Sequence, residues 1–278
     1  MESSDINPTD PELITIWQQA LEDVDAVCAT LDDEHWDAPT PCPGWTVGDV
    51  VAHIIAIEQV LSGAPGNDHE PNWDLLPHVT SDFGRFTEVG VDARRGRSRD
   101  EVLAELRETI AIRRNQLDAV PAGEAVIGPL GNPTTLERML RIRIFDTWMH
   151  EQDIRTAIGF DGSWDSAPAV IAFQQMTRSL PVIWSKGSQA PTGTTVRVTV
   201  AGPGLEADKY VVVDDEGRGQ ACAPVLNPTV SLAVSWPDYM LLTGGRIDVD
   251  EPGLRGRIQL TGDPVLAAAL LAALSITP

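Results

Sequence analysis

Asp146 and His150 stand four residues apart in a stretch that reads as a helix. That spacing stacks two side chains on one face, about 5–6 Å apart at Cβ, and a carboxylate and an imidazole at that reach can share one metal ion. Met139, Asp153 and Ala157 lie near the same stripe, and Asp153 is placed to orient His150 through its other ring nitrogen. His53 falls in the middle of a second helical stretch, with Val50, Ala56, Ile57 and Val60 as same-face neighbours. Burying an unpaired polar group costs on the order of a few kcal/mol, so an imidazole on an apolar face needs a partner. A metal ion would meet that need. Two histidines and one carboxylate leave room for a water, as in a catalytic zinc site. Spacing alone also admits a plainer reading, with a solvated D-x-x-x-H pair and a hydrogen-bonded core histidine. His35, His69 and His78 fall in turns and loops and are expected to be solvated.

The elements that must position these groups are bounded by composition. The chain has 278 residues, 42% of them apolar and 22% charged, which suits a globular protein of one large or two ordinary domains. A net charge of −21 repels nucleic acid and anionic lipid, so neither is expected as a partner. No apolar run is long enough to span a bilayer. Met1 to Asp10 is polar and acidic, unlike a secretory signal or a transit peptide. Cys28, Cys42 and Cys222 form no CxxC pair, so a disulfide framework is not expected and a cytoplasmic location is.

The first two-thirds reads as helices. Leu13, Ile16, Trp17, Ala20, Leu21, Val24, Val27 and Leu31 recur at helical spacing. Pro39 to Trp45 is a turn, after which Thr46 caps a helix running to about Leu61. Residues 63 to about 97 are rich in Gly, Pro and Asp, and predict a lid, a binding loop or a loop with a short helix. Ser98 and Glu101 form a capping box for a helix to about Ala119, and Thr134 and Glu137 a second one for a helix to Gly159. A fifth helical stretch covers about Ala167 to Trp184. Ser185 to Gly193 is a polar linker, and Thr194 to Ala201 alternates as a strand. Tyr210 to Val213 and Arg255 to Leu260 are further expected strands, with helices over Pro237 to Thr243 and Pro264 to Leu274. The expectation is an α+β protein of two domains: a four-helix bundle over residues 1–188 and a small α+β domain over 189–278.

Two segments carry a resemblance. Pro41-Cys-Pro-Gly-Trp-Thr-Val-Gly-Asp-Val-Val-Ala-His53 resembles the N-terminal signature of the mycothiol-dependent maleylpyruvate isomerase family, within the wider DinB-like bundles. Arg143-Ile-Phe-Asp-Thr-Trp-Met-His-Glu-Gln-Asp-Ile-Arg155 resembles the second signature of that family. The resemblance implies zinc, or another divalent metal, on His53, Asp146 and His150. The family usually shows Glu where this chain has Asp146. Trp236 to Arg246 and Gln259 to Ala267 resemble the family's second domain, which is similar to sterol carrier proteins.

The chemistry so implied uses mycothiol, the low-molecular-weight thiol of actinobacteria, as cofactor or co-substrate. Its thiolate would add to a small electrophile, such as one bearing a carboxylate, in an isomerase or an S-transferase. Arg246 is the candidate to hold a carboxylate, since a guanidinium fork suits that geometry; a solvated turn arginine is the alternative. Cys42 precedes a helix N-terminus, which favours thiolate, although packing in the turn accounts for it as well. Two other functions stay open: a hydrolase using metal-activated water, or a non-enzymatic carrier of an apolar ligand with a vestigial metal site. A monomer or a homodimer is expected.

Overall fold

The computed structural model describes residues 6–66 and 68–277, so Met1–Asp5 of the acidic start lie outside them. The chain forms two compact units, one of Asn7–Ser163 and one from Trp164 onward that also takes in Ile6. The expected boundary stood at 188/189; the compact units divide at 163/164.

The first unit is helical. Its elements are α1 (Asp10–Cys28), the short α2 (Asp33–Trp36), α3 (Val47–Leu61), α4 (Asp82–Asp92), α5 (Arg99–Asp118) and α6 (Leu136–Ala157), with a hairpin of β1 (Ala125–Ile127) and β2 (Pro133–Thr135) ahead of α6. The four long helices pack as a bundle in which α1 and α3 each contact both α5 and α6. Their helical-period apolar residues supply its core: Leu13, Trp17 and Leu21 of α1, Ile54 of α3, Leu106 of α5, and Leu140, Ile144 and Trp148 of α6. Thr46 and Asp49 make a reciprocal capping box on α3, and Ser98 and Glu101 make one on α5. On α6 the cap is Thr135, whose side chain accepts from Arg138 N, so the expected box on Thr134 and Glu137 does not form. Thr134 is committed instead to the hairpin, opposite Val126. The 63–97 connection contains a turn of 3-10 helix, Trp73–Leu75, and α4, which packs on α3.

The second unit is α+β. Helix α7 (Ala167–Thr177) stops short of the expected Trp184; α8 (Leu180–Val182) and a π turn (Ile183–Gly187) follow. The break has a local cause: Pro181 lacks an N–H, and in a continuous helix its ring would meet the Thr177 carbonyl four residues back. Strands β3 (Thr195–Gly202), β4 (Leu205–Val213), β5 (Gly219–Ala221), β6 (Val230–Ser235) and β7 (Gln259–Gly262) form one sheet in the order β5-β4-β3-β6-β7. Among the described strands, β3 and β6 pair in parallel and the other neighbours antiparallel. Val196, Val198 and Val200 alternate into the core opposite polar residues, as period two requires. Helix α9 (Trp236–Thr243) packs on β3 and β6. The expected strand from Arg255 is instead α10 (Leu254–Arg257): Gly253, at φ 91°, turns the chain into a helical turn before β7 begins. Helix α11 (Pro264–Ala272) closes the unit. Among the described residues no helix is long and apolar enough to cross a membrane.

Candidate metal centre

Helices α3 and α6 bring His53, Asp146 and His150 together, with one donor atom from each lying within 4.8 Å of the others. His53 Nε2 is 3.5 Å from Asp146 Oδ2, and His150 Nε2 is 3.8 Å from Asp146 Oδ1. The two imidazoles meet edge to face at 4.9 Å between centroids. These separations are long for hydrogen bonds, whose usual N···O distance is about 2.9–3.0 Å. They suit ligands of one ion, because bonds of about 2.0–2.1 Å arranged tetrahedrally put donor atoms roughly 3.3 Å apart. His53 Nδ1 is buried without a partner, so Nε2 toward Asp146 is the ring's one engaged edge. The donor set therefore fits a zinc-type ion. The histidine side chains are only 6% and 10% exposed, against 29% for Asp146.

The second ring nitrogen of His150 is held from behind. Its Nδ1 lies 3.0 Å from Asp153 Oδ2, as the sequence suggests, and the Cys42 thiol donates to the same oxygen at 3.1 Å. Cys42 is thus neither plain packing nor free; it helps set the ring that carries the donor. Asp146 is fixed from the other side by Arg143, whose Nη1 donates to Oδ2 at 2.8 Å while its Nε donates to Glu58 Oε1 at 2.8 Å. Glu58 also accepts from Trp17 Nε1 at 3.2 Å and from Arg113 Nε at 3.4 Å, so residues of all four long helices meet on one buried carboxylate. A carboxylate has about four lone-pair sites, so Arg143 leaves Asp146 capacity for an ion.

Electrostatics divide the three groups. Burial outweighs the neighbouring carboxylate at His53 and holds its pKa below the usual value, leaving the ring neutral. Burial also opposes ionisation of Asp146, yet the Arg143 charge and the nearby His53 ring overcome it and hold the carboxyl well below the usual range. At His150, burial is outweighed by Asp153, Cys42 and the Asp146 charge, and the pKa is pushed up to about 10. At neutral pH, then, the His150 ring is doubly protonated and the His53 ring is neutral. A metal ion bound there would displace one ring proton of His150, while the Nδ1 proton stays on the ring and points at Asp153. Zinc loading near pH 8 is expected to release about one proton per ion, and apparent affinity to rise about tenfold per pH unit until pH nears 10. Proton release in a weakly buffered indicator dye measures this; release of none, or of two, would contradict the assignment.

Two of the histidines expected to be solvated are engaged. His78 is not solvated: its Nε2 sits 3.2 Å from the buried Glu88 Oε2. His69 pairs with Asp92 at 2.7 Å, and His35 is the exposed one, beside Asp32. Arg246 lies in the second unit, on the turn after α9, where its Nη1 donates to Gly244 O at 2.7 Å. Sequence reasoning missed Glu58 and Arg143. Glu58 carries a signal, since it falls on the apolar stripe of Val51, Ile54 and Ile55, where a charge must be paired.

Comparison with known proteins follows the same segments. Residues 17–155 match the Mycothiol maleylpyruvate isomerase N-terminal domain. An uncharacterised protein of Mycobacterium tuberculosis, known from strains CDC 1551 / Oshkosh and ATCC 25618 / H37Rv, is 28% identical over 138 residues, covering 50% of this chain. The chain spans about half the length of that relative, 53%. The crystal structure of a mycothiol-dependent maleylpyruvate isomerase superposes with a TM-score of 0.53 at 13% identity, covering 89% of this chain and 93% of that one. A histidine-to-alanine mutant of the same enzyme gives the same TM-score at 14% identity, with the same coverage. At such identities the match speaks for a shared fold.

Proposed function

Since the chain belongs to the mycothiol maleylpyruvate isomerase family through residues 17–155, we propose that it is a zinc-dependent enzyme that adds the thiolate of mycothiol to a small electrophile. The observation that carries this reading is the convergence of His53, Asp146 and His150 on one point from two helices. A bound zinc ion would supply a site where a thiol ionises at neutral pH and stays nucleophilic. The protein's own residues do the rest. Asp153 and Cys42 hold the His150 ring so that Nε2 faces Asp146, and Arg143 keeps Asp146 ionised and oriented. Arg246 is assigned the anionic group of the electrophile, which a guanidinium holds through paired hydrogen bonds. In an isomerase, elimination returns the free thiol after rotation about the former double bond; in a transferase, the conjugate leaves.

The test separates binding from chemistry. Arg246→Ala is expected to lower turnover with maleylpyruvate and mycothiol at unchanged zinc content, and Asp146→Ala to lose both. Asp146→Glu should keep zinc, because the family commonly places the longer carboxylate there. Turnover that needs no thiol would point to a hydrolase instead. Retention of zinc by Asp146→Ala would remove that residue from the site.

A further inference from the structure

The indole of Trp45 lies against both candidate ligand histidines, its centroid 5.0 Å from the His53 ring and 6.1 Å from the His150 ring. It is not held there by packing alone. Its Nε1 donates to Glu88 Oε2 at 2.8 Å. Glu88 is buried on α4 and forms an ion pair with Arg95, Nη2 to Oε1 2.7 Å, with His78 Nε2 3.2 Å from its other oxygen. His78 in turn packs on the backbone before the indole: Gly44 adopts φ 78°, and a Cβ there would overlap the His78 ring. The 63–97 connection thus fixes the pitch of one aromatic side chain beside the cluster.

That side chain is half-buried, whereas both histidines are almost covered. Asp146 and Trp45 are the members of the group that keep appreciable surface. Of this group, the carboxylate and the indole are the side chains an incoming ligand would meet. A carboxylate repels a thiolate; an indole face attracts sulfur and ring carbons through dispersion and its quadrupole. We propose that Trp45 is a specificity-determining residue of this site, contacting the body of the thiol that binds there and favouring thiols that carry a ring. The inference rests on the thiol-binding function proposed above and goes beyond it by naming the residue that selects the thiol.

The experiment uses cobalt(II) in place of zinc in the full chain. The cobalt d–d bands report the ligand set, and the thiolate-to-cobalt charge-transfer band reports thiol binding. Affinities are measured for benzyl mercaptan and for 2-mercaptoethanol. Wild-type protein is expected to prefer benzyl mercaptan, and Trp45→Ala to lose about three- to tenfold of that preference with cobalt affinity and d–d bands unchanged. Trp45→Phe, which keeps a ring, should retain most of the preference. If the alanine protein does not fold, Trp45→Leu fills more of the space and takes its place. An unchanged preference in a cobalt-bound variant overturns the role of Trp45 and leaves the thiol-binding function standing. Equal loss for both thiols, or loss of cobalt in every variant, assigns Trp45 a structural task only and overturns the inference too. If the wild type takes up no cobalt at all, the proposed function falls first, and the inference with it.

Discussion

Zinc-loaded wild-type protein is expected to hold about one ion per chain, and His53→Ala and His150→Ala proteins to hold none after the same loading. The effect should be large because each histidine is one of three donors, and the truncated site keeps a single imidazole and a carboxylate already shared with Arg143. It should also be visible in stability. An ion that binds only the folded state at a thousandfold excess over its Kd stabilises by about 4 kcal/mol. For a unit of this size that corresponds to a rise in Tm of roughly 8–16 °C. The rise should appear in the wild type on adding zinc and vanish in both variants, with elemental analysis giving the stoichiometry. Wild-type protein that takes up no zinc, nickel, manganese or iron, and whose Tm ignores all four, would sink the metal centre and the enzyme reading together.

Glu58→Leu should be the most damaging substitution in the helical unit, at about 3–5 kcal/mol. Leucine keeps helix propensity and roughly the volume, so the loss would come from charge. Glu58 is fully buried, and its removal leaves Arg143 with Asp146 alone, Arg113 without its carboxylate and the Trp17 N–H without an acceptor. Breaking a buried ion pair from one side strands the other charge, which costs more than the pair itself contributes. Urea unfolding followed by tryptophan fluorescence measures the change in midpoint. A shift equivalent to less than about 1 kcal/mol would show that water reaches the arginines and that the hub is dispensable. Pairing Glu58→Leu with Arg143→Met should recover part of the loss, since the stranded charge goes as well; the double mutant also exposes how far Asp146 depends on Arg143 for its position.

How much of this was legible in the sequence depends on whether spacing is fixed by a regular element. Asp146, His150 and Asp153 lie on one helix, so their relation follows from the 3.6-residue turn, and the caps on Thr46 and Ser98 marked where two helices begin. The meeting of His53 with that helix was carried by resemblance, because periodicity places a residue on a face but does not say which face it meets. Trp45, His78 and Glu88 were out of reach for the same reason: their contacts run between a turn, a loop and a helix of the connection, where no period constrains the geometry. Strand β6 was legible and passed over, since Val230-Ser-Leu-Ala-Val-Ser235 alternates over its whole length. The Arg255 stretch shows the opposite error, in which a short apolar-polar alternation outweighed the glycine ahead of it.

Helix α6 alone supplies Arg143, Asp146, His150 and Asp153. A one-residue insertion ahead of Arg143 would turn all four by about 100° and shift them about 1.5 Å along the axis. Their mutual arrangement would survive while their meeting with His53 would be lost. The centre therefore behaves as a cassette and a socket. The cassette is one peptide segment that can be moved whole, and the socket is a histidine on a neighbouring helix at the matching height. Grafting the segment from Arg143 to Asp153 onto another antiparallel bundle should then require host positions for the His53 imidazole, the Glu58 carboxylate that pairs with Arg143 and the Cys42 thiol that donates to Asp153, with the register between helices as the main quantity to tune.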